Sequence, residues 1–317
     1  MKDDTAVRRQ ARRVSAPPVA RAREVPLAAD TPACQAAAMV LRGCHAQWLG
    51  NEQAVRSRDA EGVHQMRVAL RRLRAALVLF RGMAPPARLE SLDAEIKWLA
   101  GLLGTARDWD VFLETTLTPL LEERRGELSL LELRQTIDAL RGTAYDGVLA
   151  ALESARYTAM ASEVAMLAGD IRDFGQGDDR PILDLARHAL DRRYTKLLRR
   201  GRRLEKLDAE QRHRLRIQLK KLRYCTDFFR CIFPDKRRRA FSKELGRLQD
   251  LFGALNDAAT AERLVRSLAG GGAGEAQLEA ARAGGLIIGW HAAEAHRGRA
   301  GLVKQWRRLV GAKPFWG

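Results

Sequence analysis

The side chains best suited to chemistry in this chain stand in two matching rows. His64, Arg67, Arg71 and Arg74 recur at intervals of three and four residues, and His213, Arg216, Lys220 and Arg223 repeat the same spacing. On a helix each row falls within about 80° and makes a cationic ridge roughly 15 Å long. Arg72 and Lys221 stand beside the rows at matching positions. A guanidinium is a planar fork of donors that fits paired anionic oxygens and stays charged at any working pH. An imidazole N–H at the head of each row adds one more donor. Like charges at three- and four-residue spacing repel, and no acid stands within either row to relieve them. One basic helix face is commonly just a solvated surface. A costly ridge that occurs twice points instead to a ligand with repeated negative charges.

Helices must carry these rows. Opposite the first lies an apolar stripe of Val63, Met66, Leu70, Leu73, Leu77 and Phe80, and opposite the second lie Leu215, Leu219, Leu222 and Phe229. Both have the period of a helix that buries one face. A shift of 149 residues superposes the two segments and much of the chain around them. Between 64–112 and 213–261, 14 of 49 positions are identical without a gap, among them His64 and His213, Pro85 and Pro234, Gly104 and Gly253, and Asp108 and Asp257. The expected architecture is therefore all-α, with two repeat halves related by a pseudo-twofold. Residues 1–31, rich in Arg, Ala and Pro, read as a disordered basic arm. The first half runs over 32–175, a Gly- and Asp-rich linker over 176–181, and the second half over 182–317. Pro32 suits a first helical turn with Asp30 or Thr31 as its cap, and Gly270–Gly274 reads as a loop between two helices. Gly104 with Asp108, and Gly253 with Asp257, read as the end of one helix and the cap of the next. The helix before the second ridge carries Arg192, Arg193, Lys196, Arg199, Arg200 and Arg203 opposite Leu190, Tyr194, Leu197 and Leu204. Its first-half counterpart carries Trp48 and Leu49 but few bases, so the halves are electrostatically unequal.

Composition narrows the function. The 317 residues carry 56 Lys and Arg against 39 Asp and Glu, a net charge of +17. Residues 190–240 alone hold 19 basic and 6 acidic side chains, so most of the excess sits in one stretch, as a polyanion partner requires. Cys34, Cys44, Cys225 and Cys231 form no C-x-x-C pair and are expected as reduced, mostly buried thiols in a cytoplasmic protein. No apolar run is long enough to span a membrane. No phosphate-cradling Gly-rich loop precedes a Lys-Ser/Thr pair. His291 and His296 diverge on a helix and make no metal pair, and each ridge histidine lies in an Arg-rich row, which does not point to phosphorylation chemistry. The reading calls for a binding protein without cofactor or metal.

The strings V-H-Q-M-R-V-A-L-R-R-L-R at 63–74, L-L-G-T-A-R-D-W-D-V at 102–111, H-R-L-R-I-Q-L-K-K-L-R-Y at 213–224 and L-F-G-A-L-N-D at 251–257 resemble those of the CHAD family, the conserved-histidine α-helical domain. The resemblance covers both halves in order. It implies two similar four-helix bundles facing a central basic channel that binds inorganic polyphosphate, with the protein in the cytoplasm or on polyphosphate granules. It assigns ligand contacts to His64, Arg67, Arg71, Arg72, Arg74, His213, Arg216, Lys220, Lys221 and Arg223. Arg107, Arg193, Lys196, Arg200 and Arg203 are further candidates. Asn256 stands where the first copy has Arg107, so that arginine is not repeated. Some members of the family accompany a triphosphatase barrel with Glu-x-Glu-x-Lys. The nearest string here, Asp93-Ala94-Glu95-Ile96-Lys97, lies in helical sequence where its acids do not converge. The alternative is nucleic-acid binding, which charge alone would support weakly. The ridges, however, have few Asn or Gln residues for base edges and lack interleaved aromatics for stacking. Trp290, Trp306, Phe315 and Trp316 either make a sticky C-terminal surface for a protein partner or close the second bundle.

Overall fold

The computed structural model describes residues 18–174, 180–268 and 275–317, and for 172–174, 275–281 and 291–300 only the path of the backbone. All regular elements among them are helical: α1 (Ala33–Leu49), α2 (Glu52–Arg56), α3 (Ala60–Leu79), α4 (Pro86–Phe112), α5 (Thr118–Glu123), α6 (Leu128–Glu153), α7 (Ala155–Phe174), α8 (Ile182–Gly201), α9 (Ala209–Phe228), α10 (Asp235–Leu268) and α11 (Glu275–Gly311). A π turn over Leu113–Leu117 joins α4 to α5. None of the described helices is long and apolar enough to cross a membrane.

The 149-residue offset reappears in the helix boundaries. α1 and α8 begin at 33 and 182, α3 and α9 at 60 and 209, and α4 and α10 at 86 and 235. Both ridge helices start on an aspartate cap at the same repeat position. Asp59 accepts from the N–H groups of Glu61 and Gly62 at 2.7 and 3.2 Å. Asp208 accepts from Gln211 N–H at 2.7 Å while Gln211 returns the bond to Asp208 N–H at 3.0 Å. Each cap satisfies backbone donors that would otherwise be orphaned. The caps also place His64 and His213 in the second turn, so neither histidine heads its helix. The predicted stripes are buried, from Val63 to Phe80 and from Leu215 to Phe229, each large side chain contributing roughly 1.5–3 kcal/mol. Both helices end at a buried Phe, then a short 3-10 turn, then a proline that starts the next helix.

The halves meet where the offset says equivalent residues should. Pro32 and Pro181 form an isolated antiparallel bridge. Ala33 N–H donates to Arg180 O at 3.0 Å, and Ile182 N–H donates to Thr31 O at 2.8 Å, a pair of bonds related by the same 149 residues. These backbone bonds replace the expected side-chain cap from Asp30 or Thr31 on α1, whose N-cap is Pro32. α1 touches α8, α3 touches α9 and α4 touches α10. One apolar core runs through both halves, and a smaller one lies where α4, α5 and α6 meet α10 and α11. The halves differ in how they close. The first uses α6 and α7, and the second uses the single long α11 packed along α10.

The disordered-arm expectation needs correction over 18–31. There the chain is irregular but packed, with Val25 and Leu27 buried and Ala20 hydrogen-bonded in both directions to the Asn51 side chain, at 3.1 and 2.8 Å. Periodicity cannot reveal such a segment, because a non-helical strap buries two side chains rather than a stripe. Residues 1–17, most of the 176–181 linker, the Gly270–Gly274 loop and the side chains of His291 and His296 lie outside the described residues. Phe315 and Trp316 are buried with Tyr194 and Phe241, their ring centroids 4.8–5.7 Å apart, and Trp316 Nε1–H donates to Asp191 at 2.8 Å. Trp306 and Trp290 pack against the two cores. These aromatics close the bundle.

Candidate functional site

Burying the apolar stripes of α3 and α9 against the core leaves their basic faces along the seam between the halves. A cleft of about 580 Å³ opens there, walled by α3, α4, α9 and α10. His64, Arg67, Arg71 and Arg72 reach it from α3, Arg107 from α4, and Arg216, Lys220 and Arg223 from α9. Its middle pairs repeat equivalents from the two halves: Arg67 with Arg216, Arg71 with Lys220, Arg107 with Asn256 and Asp108 with Asp257.

Not every predicted residue offers its charge to the cleft. Arg72 is buried in the wall, its guanidinium 5.2 Å over the Phe228 ring. Arg74 turns away to Asp93, at 2.6 Å, which also takes Lys97 at 2.7 Å. His213 is exposed and lines a neighbouring, more apolar pocket instead. Lys221 lies among Arg193, Lys196, Arg74 and Arg200 rather than in the cleft, and Arg203 borders a separate surface hollow with Arg199, Arg200 and Arg202. Adjacent residues on a helix point about 100° apart. A row read from one helix therefore splits when two helices cross.

The expectation that Gly104 and Gly253 end helices is also wrong. α4 and α10 run straight through both Gly–Asp pairs. Gly104 instead offers its carbonyl to Arg67 Nη1–H at 3.0 Å, and the Arg67 guanidinium lies about where a larger side chain would reach. Asp108 and Asp257 are cleft residues. Asp108 stands 3.7 Å from Arg67 and 2.9 Å from Arg263, joining α3 to α10. The ridges are thus not free of acids: Asp108 comes from the neighbouring helix α4, and Asp227, one turn further along α9 itself, stands 3.9 Å from Arg223. In the second copy Asn256 takes the place of a charge and accepts from Arg216 Nη1–H at 2.9 Å, while Gln249 accepts from Arg223 at 2.9 Å. Arg107 is held only loosely, 3.9 Å from Glu114. Reading the repeat as a contact map would have flagged Asn256. No sequence signal marks Arg21, which the arm brings to one end of the cleft.

Positive charge remains in excess. Among the described residues, Arg71 Nε, Arg72 Nε and Arg216 Nε are buried donors without a hydrogen-bond partner, and such donors are costly to leave unmet. Burial, then the charges of Arg71, Arg216 and Arg67, pulls Lys220 down to about 7, against a modest opposing pull from Asp257. Burial and then Arg107 hold His64 below the ordinary imidazole value, which disfavours its charged form. Arg67 and Arg216 are pushed down by burial first, each then by Arg71 among its cationic neighbours. Burial raises Asp227 and Asp257. These shifts record clustered cations that lack enough water and counter-charge. An anion entering the cleft would supply both the acceptors and the charge. No trio of His, Cys, Asp or Glu suited to a metal occurs among the described residues. The Asp93–Lys97 string lies in α4, where Asp93 takes Arg74 and Lys97 while Glu95 takes Arg156 at 2.5 Å. Cys34, Cys44 and Cys225 are buried free thiols and Cys231 is an exposed one.

Fold and site together define an all-helical protein of two fused repeats with an electropositive cleft along their seam. The CHAD domain model matches residues 39–266. The chain is 33% identical to the CHAD domain from the plant Ricinus communis, whose crystal structure superposes with a TM-score of 0.79, covering 92% of this chain and 96% of that one. The chain belongs to the CHAD domain family. PptA from Streptomyces chartreusis shares the fold, with a TM-score of 0.63 at 20% identity over 87% of this chain and 100% of that one. No curated protein matches significantly.

Proposed function

We propose that this protein binds inorganic polyphosphate, without chemistry, in the cleft between its two halves, and that this binding holds it on polyphosphate granules. The two halves, 32–175 and 182–317, act as one domain, since each supplies half of the cationic wall. The observation that carries the reading is the convergence of Arg67, Arg71, Arg216 and Lys220 from both halves on one cleft. A phosphate chain presents closely spaced oxyanions and no side groups, so it can follow such a wall and satisfy each donor in turn. His64, Arg107 and Arg223 extend the wall at either side.

Nucleic acid fits the same charge less well. Tyr224 is the one aromatic among the cleft-lining residues, which leaves little to stack bases. The Asn256 and Gln249 amide oxygens, which could read base edges, already accept from Arg216 and Arg223. The test is competition at fixed salt: labelled polyphosphate bound to the full chain, challenged with unlabelled polyphosphate, DNA, RNA and orthophosphate. Polyphosphate should displace the label at the lowest phosphate concentration. Equal displacement by DNA or RNA would overturn the reading in favour of a general polyanion binder.

A further inference from the structure

A second hollow opens beside the cleft, between α9, α10 and α11, with a volume of about 490 Å³. Leu204, Phe252, Leu255 and Leu302 give it an apolar floor, and Arg212, His213 and Arg216 stand along one rim. The 149-residue repeat shows why it is open. In the first half the positions matching Leu204, Arg212, Phe252, Leu255 and Ala259 are Val55, Val63, Leu103, Ala106 and Asp110, and all of these are buried. There α6 supplies the cover. Its fully buried Tyr145 donates its hydroxyl to Asp110 at 2.9 Å, and Arg56, the match of Glu205, donates to Leu152 O at 3.3 Å. The second half closes with α11 alone, and Ala259 is exposed while Leu255 and Ala258 are half-buried. The charge changes with the space. The aspartate that holds Tyr145 is matched by an alanine, and the buried Val63 by Arg212. The two carboxylates at the rim are already paired, Glu205 with Arg307 at 3.6 Å and Glu262 with Arg266 at 2.6 Å. A place that holds a phenol ring bonded to a carboxylate in one half is, in the other, an open apolar floor facing cations.

We propose that this hollow is a binding site for a small organic anion with a flat apolar body, an aryl carboxylate in its simplest form. The ring lies on Leu204, Phe252 and Leu255, and the carboxylate turns to Arg212, His213 and Arg216. A pocket that is mainly apolar with a few convergent donors suits such a molecule, and a guanidinium gives a carboxylate two parallel bonds. Polyphosphate has no apolar part to cover the floor, and a neutral ring leaves the cations unanswered. The site is coupled to the cleft, because Arg216 and Asn256 line both. An anion that draws the Arg216 guanidinium to its own side takes it from the cleft wall, so each ligand weakens the other by the same factor. The coupling rests on the polyphosphate reading of the cleft, whereas the binding of the aryl anion does not.

The test titrates the full chain with naphthalene-2-carboxylate, with naphthalene-2-methanol as the neutral counterpart and acetate as the anion without a ring, read by saturation-transfer NMR. The aryl carboxylate should bind at least about tenfold more tightly than either. Ala259→Phe places a ring of the protein's own in the hollow and should remove the binding. Ala258→Phe is a second blocking variant, and circular dichroism checks that both keep their helix content. Arg212→Gln with His213→Gln should cancel the preference for the carboxylate over the alcohol. At saturation the aryl carboxylate should weaken long-chain polyphosphate several-fold in the wild type and leave it unchanged in Ala259→Phe. The proposal fails if the wild type takes no aryl carboxylate, if it binds the alcohol equally well, or if binding survives in the folded blocking variants. It fails too if the aryl carboxylate weakens polyphosphate as much in those variants as in the wild type, because the small anion would then sit in the cleft itself. A wild type that takes the aryl carboxylate in the hollow but binds no polyphosphate removes the cleft reading and the coupling, and upholds the site.

Discussion

Raising the pH from 7 to 9 should loosen long-chain polyphosphate from this protein, with Lys220 as the cause. In the empty cleft Lys220 lies at about 7 instead of 10.5, faced by Arg67 and Arg71 of α3, Arg216 of its own helix and Asp257 of α10. Its ammonium is then about half formed at pH 7, about a tenth at pH 8 and about a hundredth at pH 9. A phosphate oxygen beside it restores the charged form, so the complex holds more protons than the free protein. Affinity must therefore fall as pH rises, from about 7 upward until the lysine titrates in the complex. If the bound ammonium stays protonated throughout, the loss between pH 7 and 9 is roughly 50-fold. Interior phosphates of a long chain stay ionised across this range and add little slope. Calorimetry in buffers of different ionisation enthalpy reads the proton directly: uptake of about half a proton per site at pH 7 and about 0.9 at pH 8. Lys220→Arg should bind with almost no pH slope, because a guanidinium stays charged. Lys220→Met should lose the slope and also bind more weakly at pH 6. A flat wild-type profile, or a slope that survives in Lys220→Arg, would refute the reasoning.

Three further outcomes follow from the same geometry. Arg67→Glu with Arg71→Glu, and Arg216→Glu with Lys220→Glu, should each weaken polyphosphate binding by more than about tenfold. Two independent patches would instead keep near-native affinity at half the stoichiometry, which a titration distinguishes. Asp108→Asn, which removes a carboxylate 3.7 Å from Arg67, should tighten binding several-fold at fixed salt by fluorescence anisotropy. Weaker binding would show that Asp108 organises the wall more than it opposes the ligand. Gly201→Ala should lower stability by about 1–3 kcal/mol in thermal melts, because a Cβ there would overlap the edge of the Trp306 ring. A loss under about 0.5 kcal/mol would mean that Trp306 moves aside freely.

The linear order of residues was enough to determine the helices, the repeat and the sign of the ligand. Periodicity marked the buried stripes because an amphipathic helix writes its packing into every third and fourth residue. The 149-residue offset carried over to the helix starts and to the two aspartate caps, since local geometry follows local sequence. What a site contains is decided by how elements cross, and that is not local. Arg74 belongs to the same row as Arg71 yet ends at Asp93, and Lys221 faces away from Lys220 toward α8. Asp108 and Asp257, which look like caps beside a glycine, become cleft residues because α4 and α10 continue through them. The strap over 18–31 left no periodic trace, although it covers in one half the face that the other half leaves open and basic. Helix formation is settled within a few turns of chain. The place where two cationic faces meet depends on packing between residues about 150 positions apart, and only the tertiary structure contains it.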